Sequence, residues 1–74
     1  SEGVFKVLSY MAIGDLYNPV MQDEAGDAAK AKQAYESARE ALGPRPAADP
    51  NDVYAQFNVP YVHHELEQKL DLLN

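Results

Sequence analysis

The segment VFKVLSYMAIGDLY, residues 4–17, decides which folds are open to this chain. If it forms a helix, its apolar side chains cover two nearly opposite sides, one with Val4, Val7, Leu8 and Met11 and the other with Tyr10, Ile13 and Tyr17. A helix that is apolar all round is normally central in a core or held in an interface. The segment therefore needs two covers, and either the rest of the chain supplies both or another protein supplies one.

A strand is the rival interpretation of VFKVLSY, because valine and aromatic residues favour strands. Nothing later in the chain offers a strand that would pair with it, and an isolated strand is not stable in water. We therefore predict a helix over about residues 3–17. It ends before Asn18, because the residue that precedes Pro19 is pushed out of the helical region.

The composition gives the chain little material for a core of its own. With 74 residues there is room for one domain, and a domain of this size buries only about 60% of the surface that its unfolded chain exposes. The apolar fraction is 46%, but 11 of these residues are alanines, which bury little area each. Cysteine is absent, which excludes disulfides and thiolate metal sites. Support must come from well-packed helices or from association with other chains.

The charge and the hydropathy pattern favour protein as the partner over nucleic acid or a membrane. A net charge of −6 disfavours nucleic acid and anionic membrane surfaces, both of which are bound mainly through Lys and Arg. There is no run of about 20 apolar residues, so we expect no transmembrane segment. Segment 4–17 carries only Lys6 as a basic residue, which favours protein over a membrane surface as its partner. A start at Ser1 is expected of a processed, trimmed or fragmentary chain, soluble or peripheral, whose compartment stays open.

The clearest helical pattern is AAKAKQAYESAREAL, which is rich in strong helix formers. Acidic residues and potential caps precede it at Asp23, Glu24 and Asp27, and Gly43 followed by proline is a stop signal. We predict a helix over about residues 24–42. Its core-facing stripe would consist of Ala28, Ala31, Tyr35, Ala38 and Leu42.

The C-terminal part combines a proline-rich connector with a third helix. Residues 43–59 contain three prolines between positions 44 and 50, followed by a short helical piece, VYAQF, which stops before Pro60. Proline suits the first position of a helix, so we predict the third helix over residues 60–73. Glu65 and Lys69 form a favourable i,i+4 pair on it. Its apolar face would consist of Val62, Leu66, Leu70 and Leu73.

The predicted fold class is therefore all-α. Residues 1–74 form a single small domain, a helical hairpin plus a third amphipathic helix, joined by a Pro-rich extended connector.

The first two predicted helices resemble a single tetratricopeptide repeat, a helix-turn-helix unit with a characteristic spacing of aromatic and small residues. The match covers about half of the chain and consists of Tyr10-x2-Ile13-Gly14-x2-Tyr17, then Ala31-x3-Tyr35-x2-Ala38, then Pro44. The resemblance implies that Gly14 and Ala31 let two antiparallel helices approach closely. It also implies that stacked copies would form a groove that binds peptides or proteins.

Only HHELEQKLD, residues 63–71, invites a chemical interpretation. On a helix His64, Glu67 and Asp71 share a face and offer nitrogen and oxygen ligands for a divalent ion. Three groups on one helix rarely complete a site, so we expect no metal and no other cofactor. The serines lie in no nucleophile or phosphate-binding motif, and we expect no enzymatic activity and no catalytic residues.

These observations favour association over catalysis. We predict a small accessory or adaptor subunit that docks on other protein subunits of a larger complex through its N-terminal helix and the connector aromatics. The alternatives are a stand-alone repeat-like module that binds a peptide or protein, self-association, and a metal-binding C-terminal helix. The predicted partner-binding residues are Val4, Phe5, Leu8, Met11, Tyr10, Ile13, Tyr17, Tyr54, Phe57 and Tyr61.

Overall fold

The computed structural model describes residues 2–43 and 53–74, without the side chains of residues 2–4, 24 and 53–60. This part of the chain is all-helical, as predicted, and contains no strand. It consists of α1 (Glu2–Tyr17), α2 (Pro19–Gln22), a 3₁₀ turn (Asp23–Ala25), α3 (Ala28–Leu42) and α4 (Val53–Leu73). Residues 44–52, the proline-rich part of the predicted connector, lie outside the described residues.

Helix α1 ends at Tyr17, where the sequence predicted its end. Asn18 adopts an extended conformation before Pro19, and its side-chain oxygen accepts a hydrogen bond of 3.0 Å from the backbone N–H of Val20. This bond caps α2, whose first residue is proline. One asparagine thus ends the first helix and starts the next.

Helix α3 begins at Ala28, so the prediction of a helix from residue 24 is wrong by about one turn. The cause is a tight turn in which the backbone N–H of Asp27 donates to the carbonyl of Tyr17 at 2.7 Å. Gly26 lies so close to Pro19 that an added Cβ would be 2.5 Å from its Cα, which fixes the path of the turn. Asp27 then caps α3 by accepting from the N–H of Lys30 at 3.2 Å.

Helix α4 runs from Val53 to Leu73 without a break, so the prediction that it starts at Pro60 is wrong. The short piece VYAQF, predicted within the connector 43–59, is helical as predicted, but it does not stop before Pro60, because residues 53–59 form the first part of α4. The φ of proline is compatible with a helix. Proline lacks the N–H that would bond to the preceding turn, and its ring crowds the carbonyl group of that turn. The helix continues on both sides of this defect, which the sequence argument had treated as a boundary.

The core lies where α3 contacts α1 on one side and α4 on the other. Tyr35 is fully buried at its centre, as predicted, and Ala31 and Ala38 of the same stripe are buried with it. The stripe is rotated slightly from the prediction, because Ala34 is buried while Ala28 is exposed. Val7 and Met11 come from α1, and the predicted apolar face of α4 contributes Leu66 and Leu70, with Val62 and Leu73 partly buried.

Contact between Gly14 of α1 and the ring of Tyr35 sets the distance between these two helices. A Cβ added at Gly14 would lie 2.6 Å from Cδ1 and 2.8 Å from Cζ of the tyrosine. The ring has no free space to move into, because Tyr35 is completely buried. Only glycine at position 14 allows the ring to lie directly on the backbone of α1.

We expect Gly14→Ala to destabilise the fold, although alanine is normally the better helix former by about 1 kcal/mol. Overlap of the new methyl group with the Tyr35 ring should outweigh that gain and lower the free energy of unfolding by about 1–3 kcal/mol. Urea denaturation followed by circular dichroism measures the change. Ser9→Ala, at an exposed position of the same helix, is the control and should not destabilise. Equal stability of Gly14→Ala and wild type would contradict the close contact.

Candidate protein-docking surface

Helix α1 has a covered inner side and a bare outer side. Val7, Met11 and Gly14 are buried on the inner side, and Tyr10 and Tyr17 are half-buried at its edges. The other side is exposed along the helix, with Lys6 exposed at its edge. We define the outer strip as its six exposed residues Phe5, Leu8, Ser9, Ala12, Ile13 and Leu16.

The large members of the outer strip are strongly exposed. Phe5 is 71% and Leu16 67% exposed, and Leu8 and Ile13, nearer the middle, are 50% and 43% exposed. The described part of the chain therefore covers one side of α1 and leaves the other open. The composition of segment 4–17 suggests that both sides of the helix are packed against other residues. Among the described residues, only its inner side is packed in this way.

Some of the predicted partner-binding residues are exposed, and others are buried in the core. Phe5, Leu8 and Ile13 lie on the outer strip, and Tyr61 is 64% exposed on α4. Met11 is instead part of the core, at 7% exposure, where it packs in the chain's own interior.

Five further predicted residues are not among the exposed side chains that the structure describes. Tyr10 and Tyr17 pack at the edge of the core. The side chains of Val4, Tyr54 and Phe57 lie outside the described residues.

The predicted partner-binding residues left out four large exposed apolar residues: Leu16, Val20, Met21 and Leu72. Leu16 follows Phe5 by 11 residues and Ala12 by four, so helical spacing could have identified it as part of the same face. Val20 and Met21 lie on α2, a helix of four residues that the sequence analysis did not predict.

A polar cluster joins the three long helices by hydrogen bonds. It consists of Asp15, Asn18, Tyr35, Glu65 and Lys69. Oδ1 of Asp15 accepts a hydrogen bond from the Tyr35 hydroxyl at 2.5 Å and another from Nζ of Lys69 at 2.6 Å. The Tyr35 hydroxyl also accepts from Nδ2 of Asn18 at 3.1 Å. Lys69 Nζ lies 3.4 Å from Oε1 of Glu65, which confirms that predicted pair, and 5.4 Å from the centre of the Tyr35 ring.

The pKa values in this cluster follow from its geometry. Burial and the hydrogen bond to Asp15 raise the pKa of Tyr35 above 10.0, and the hydrogen bond from Asn18 offsets only part of this rise. For Lys69, burial alone would lower the pKa, but the hydrogen bond and charge of Asp15 outweigh it, so the pKa lies above 10.5. Both groups therefore hold their protons more firmly in the folded chain. A proton held this firmly is of little use to a general acid or base near neutral pH, and we interpret the cluster as structural.

The proposed metal ligands do not form a site. His64, Glu67 and Asp71 are all exposed on α4. Among the residues that the structure describes, no three His, Cys, Asp or Glu side chains are close enough together to hold a metal ion. The neighbouring His63 is buried at 8% exposure, and its Nε2 has no hydrogen-bond partner among the side chains and backbone that the structure describes.

Comparison with models of protein families, with curated proteins and with solved structures gave no match to this chain. Membership of the tetratricopeptide family stays a prediction. No helix in residues 2–43 or 53–74 is long and apolar enough to cross a membrane.

Removal of the Tyr35 hydroxyl tests the polar cluster. In Tyr35→Phe the buried amide of Asn18 loses its acceptor and Asp15 loses a donor, so we expect a loss of about 1–3 kcal/mol in the free energy of unfolding. Urea denaturation measures it, with Tyr61→Phe, at an exposed position, as the control. A loss no larger than in the control would show that the hydroxyl bonds contribute nothing.

The same cluster predicts how stability depends on pH. Above pH 10 the unfolded chain releases protons from Tyr35 and Lys69 that the folded chain retains, so the free energy of unfolding should fall as pH rises. Below pH 10 the contribution of both groups is fully present. Asp15→Asn removes the charge that raises both pKa values and should flatten the fall. Urea denaturation at pH 8, 9, 10 and 11 compares the two slopes, and equal slopes would contradict the assignment to Asp15.

Proposed function

We propose that this protein is a non-enzymatic accessory subunit that docks on a larger protein assembly through the outer strip of α1. The single observation that carries the proposal is the exposure of Phe5, Leu8, Ile13 and Leu16 along one side of a helix whose other side already forms the core. Contiguous apolar surface of this kind marks interaction sites on soluble proteins.

The energetic argument favours an interface over a role in the fold. None of the four large residues of the outer strip belongs to the core of the described residues, and each keeps 43–71% of its surface exposed, which leaves much of its burial to a partner. Complete burial of one such side chain in a complex contributes about 1.5–3 kcal/mol. Four of them, spaced along one helix, are the anchors by which amphipathic helices are recognised.

A second exposed surface lies on α4 and is the proposed secondary contact. Tyr61 and Leu72 are 64% and 71% exposed and stand 11 residues apart, about three helical turns, on the same side of the helix. Tyr61 follows Tyr54 and Phe57, the aromatic residues of the predicted connector. We propose that these aromatics extend the contact beyond α1, since tyrosine suits interfaces with one apolar and one wet side.

A stand-alone repeat-like module is the second candidate. The observation that favours it is the close approach of α1 and α3 at Gly14 and Tyr35, two positions of the tetratricopeptide pattern. The hydrogen bond from Asp27 to Tyr17 lies where two antiparallel helices of such a hairpin would be joined. This candidate predicts further copies of the pattern in any longer parent chain.

The outer strip can be tested separately from the fold. A variant with Phe5→Gln, Leu8→Gln, Ile13→Gln and Leu16→Gln keeps good helix formers but loses the apolar side chains. Since these positions are exposed, we expect the purified variant to keep its helix content and, within a few degrees, its melting temperature. In extracts of the native source the wild-type chain should sediment with a complex far larger than twice its own 8.2 kDa, and the variant should not.

The matched control replaces four exposed polar residues elsewhere with alanine: Gln33, Glu36, Glu67 and Gln68. This control should sediment like the wild type. A wild-type chain that sediments alone would contradict the accessory role. A glutamine variant that unfolds would show instead that the outer strip belongs to the fold.

A further inference from the structure

We propose that the outer strip is occupied by the outer strip of a second copy of this chain, with the two α1 helices antiparallel across a two-fold axis. The inference rests on the proposed function, because it takes the outer strip to be an interface, and it adds which protein occupies it. The subunit of the assembly on which the outer strip docks is then a second copy of this chain, and the pair contacts the other subunits through the α4 surface around Tyr61.

The order of residue sizes along the outer strip is the same from either end. Phe5 and Leu16 close it, Leu8 and Ile13 come next, and Ser9 and Ala12 lie in the middle. A two-fold axis that passes midway between residues 10 and 11 maps position 5 to the level of 16, 8 to that of 13, and 9 to that of 12. A two-fold interface requires that residue i contacts residue j of the partner while j contacts i, and the outer strip meets this condition.

The small residues lie where two crossing helices must come closest. Helices pack with their axes about 8–10 Å apart, and the shorter distances need small side chains at the contact. Ser9 and Ala12 are both exposed at the centre of the outer strip, so they leave the backbone accessible there. Phe5 of each copy would then pack beside Leu16 of the other, at both ends of the contact.

Charge does not oppose this pairing at the contact. The chain carries a net charge of −6, but none of the six residues of the outer strip is ionisable. Lys6 and Asp15 of α1 lie at the edges of the outer strip, so the charges of the two copies would face each other from the rim, where a screening length of about 8 Å at physiological salt weakens repulsion. An acidic surface around an uncharged strip permits self-association along that strip and disfavours it elsewhere.

The area of the contact sets the expected affinity. From Phe5 to Leu16 the outer strip extends about 17 Å at about 1.5 Å per residue, so the contact is small compared with about 800 Å² per partner in stable complexes. We therefore expect a reversible dimer with a dissociation constant of about 10–100 μM. Sedimentation equilibrium of the 74-residue chain, at concentrations from about 5 to about 500 μM, measures the fraction of dimer on both sides of this dissociation constant.

A charge pair tests the antiparallel register. Phe5→Lys and Leu16→Glu, each alone, place one charge against an apolar partner residue and should weaken the dimer by at least tenfold. The double variant Phe5→Lys/Leu16→Glu brings the lysine of each copy to the glutamate of the other and should recover dimerisation. It has the same net charge as the wild type, so a general charge effect cannot explain recovery. Gln33→Lys/Gln68→Glu, at exposed positions outside the outer strip, is the matched control.

Cross-linking tests the register independently, because the natural sequence has no cysteine. Ser9→Cys and Ala12→Cys are prepared as separate variants and oxidised alone and as a mixture. The antiparallel register brings position 9 closest to position 12 of the other copy, so the mixture should form disulfide dimers several times faster than either variant alone. Glu36→Cys and Glu40→Cys, on exposed positions of α3, supply the background rate.

A folded wild-type chain that stays monomeric up to 500 μM would overturn the second-copy inference. So would a double charge variant that fails to recover, or cross-linking of the mixture at the background rate. These outcomes leave the accessory role standing if the chain still sediments with a large complex in extracts. Conversely, a chain that dimerises when purified but sediments as a dimer alone in extracts would support the pairing and contradict the accessory role.

Discussion

The structure depends on one contact, that of the Tyr35 ring with the backbone of α1 at Gly14. Tyrosine is the only large side chain in the middle of a helix that otherwise offers alanines to the core. The other core residues of α3 are small, so the Tyr35 ring has to fill the space up to the backbone of α1. It contacts that backbone at position 14, where only glycine leaves enough room. Around this point the small core collects Val7 and Met11 from one helix and Leu66 and Leu70 from another.

The sequence was sufficient to predict the three long helices, but not the short helix α2 or the way in which the helices meet. Helical periodicity identified the three long helices, and Asn18-Pro19 and Gly43 marked two of their ends correctly. Prediction failed where a local signal has two meanings. Pro60 can start a helix or be tolerated within one, and acidic residues before a helix can belong to its first turn or to the turn before it. Only the hydrogen bond from Asp27 to Tyr17 decides the second case, and it joins residues ten positions apart.

For the docking surface the limits of sequence are similar. The apolar residues of α1 indicated that packing on one side alone could not bury all of them. They did not indicate which of them face the core. Met11 faces the core and Leu16 faces outward, since the orientation of α1 is fixed by Gly14 and Asp15, whose partners lie on other helices. The sequence paired Lys69 with Glu65 and placed Asn18 at a helix end, but it gave no signal for their bonds in the polar cluster, because Tyr35 and Asp15 are 17 and 54 residues distant from them.

One atom connects the movements of all three long helices. The bonds from Tyr35 on α3 and from Lys69 on α4 both end on Oδ1 of Asp15. Each donor polarises the oxygen that the other uses, so a displacement of α4 that lengthens the Lys69 bond would also change the strength of the bond between α3 and α1. Unfolding of the C-terminal helix is therefore coupled to loosening of the hairpin. The chain should accordingly open as a single cooperative unit, and amides of α3 and α4 should share one protection factor against hydrogen exchange.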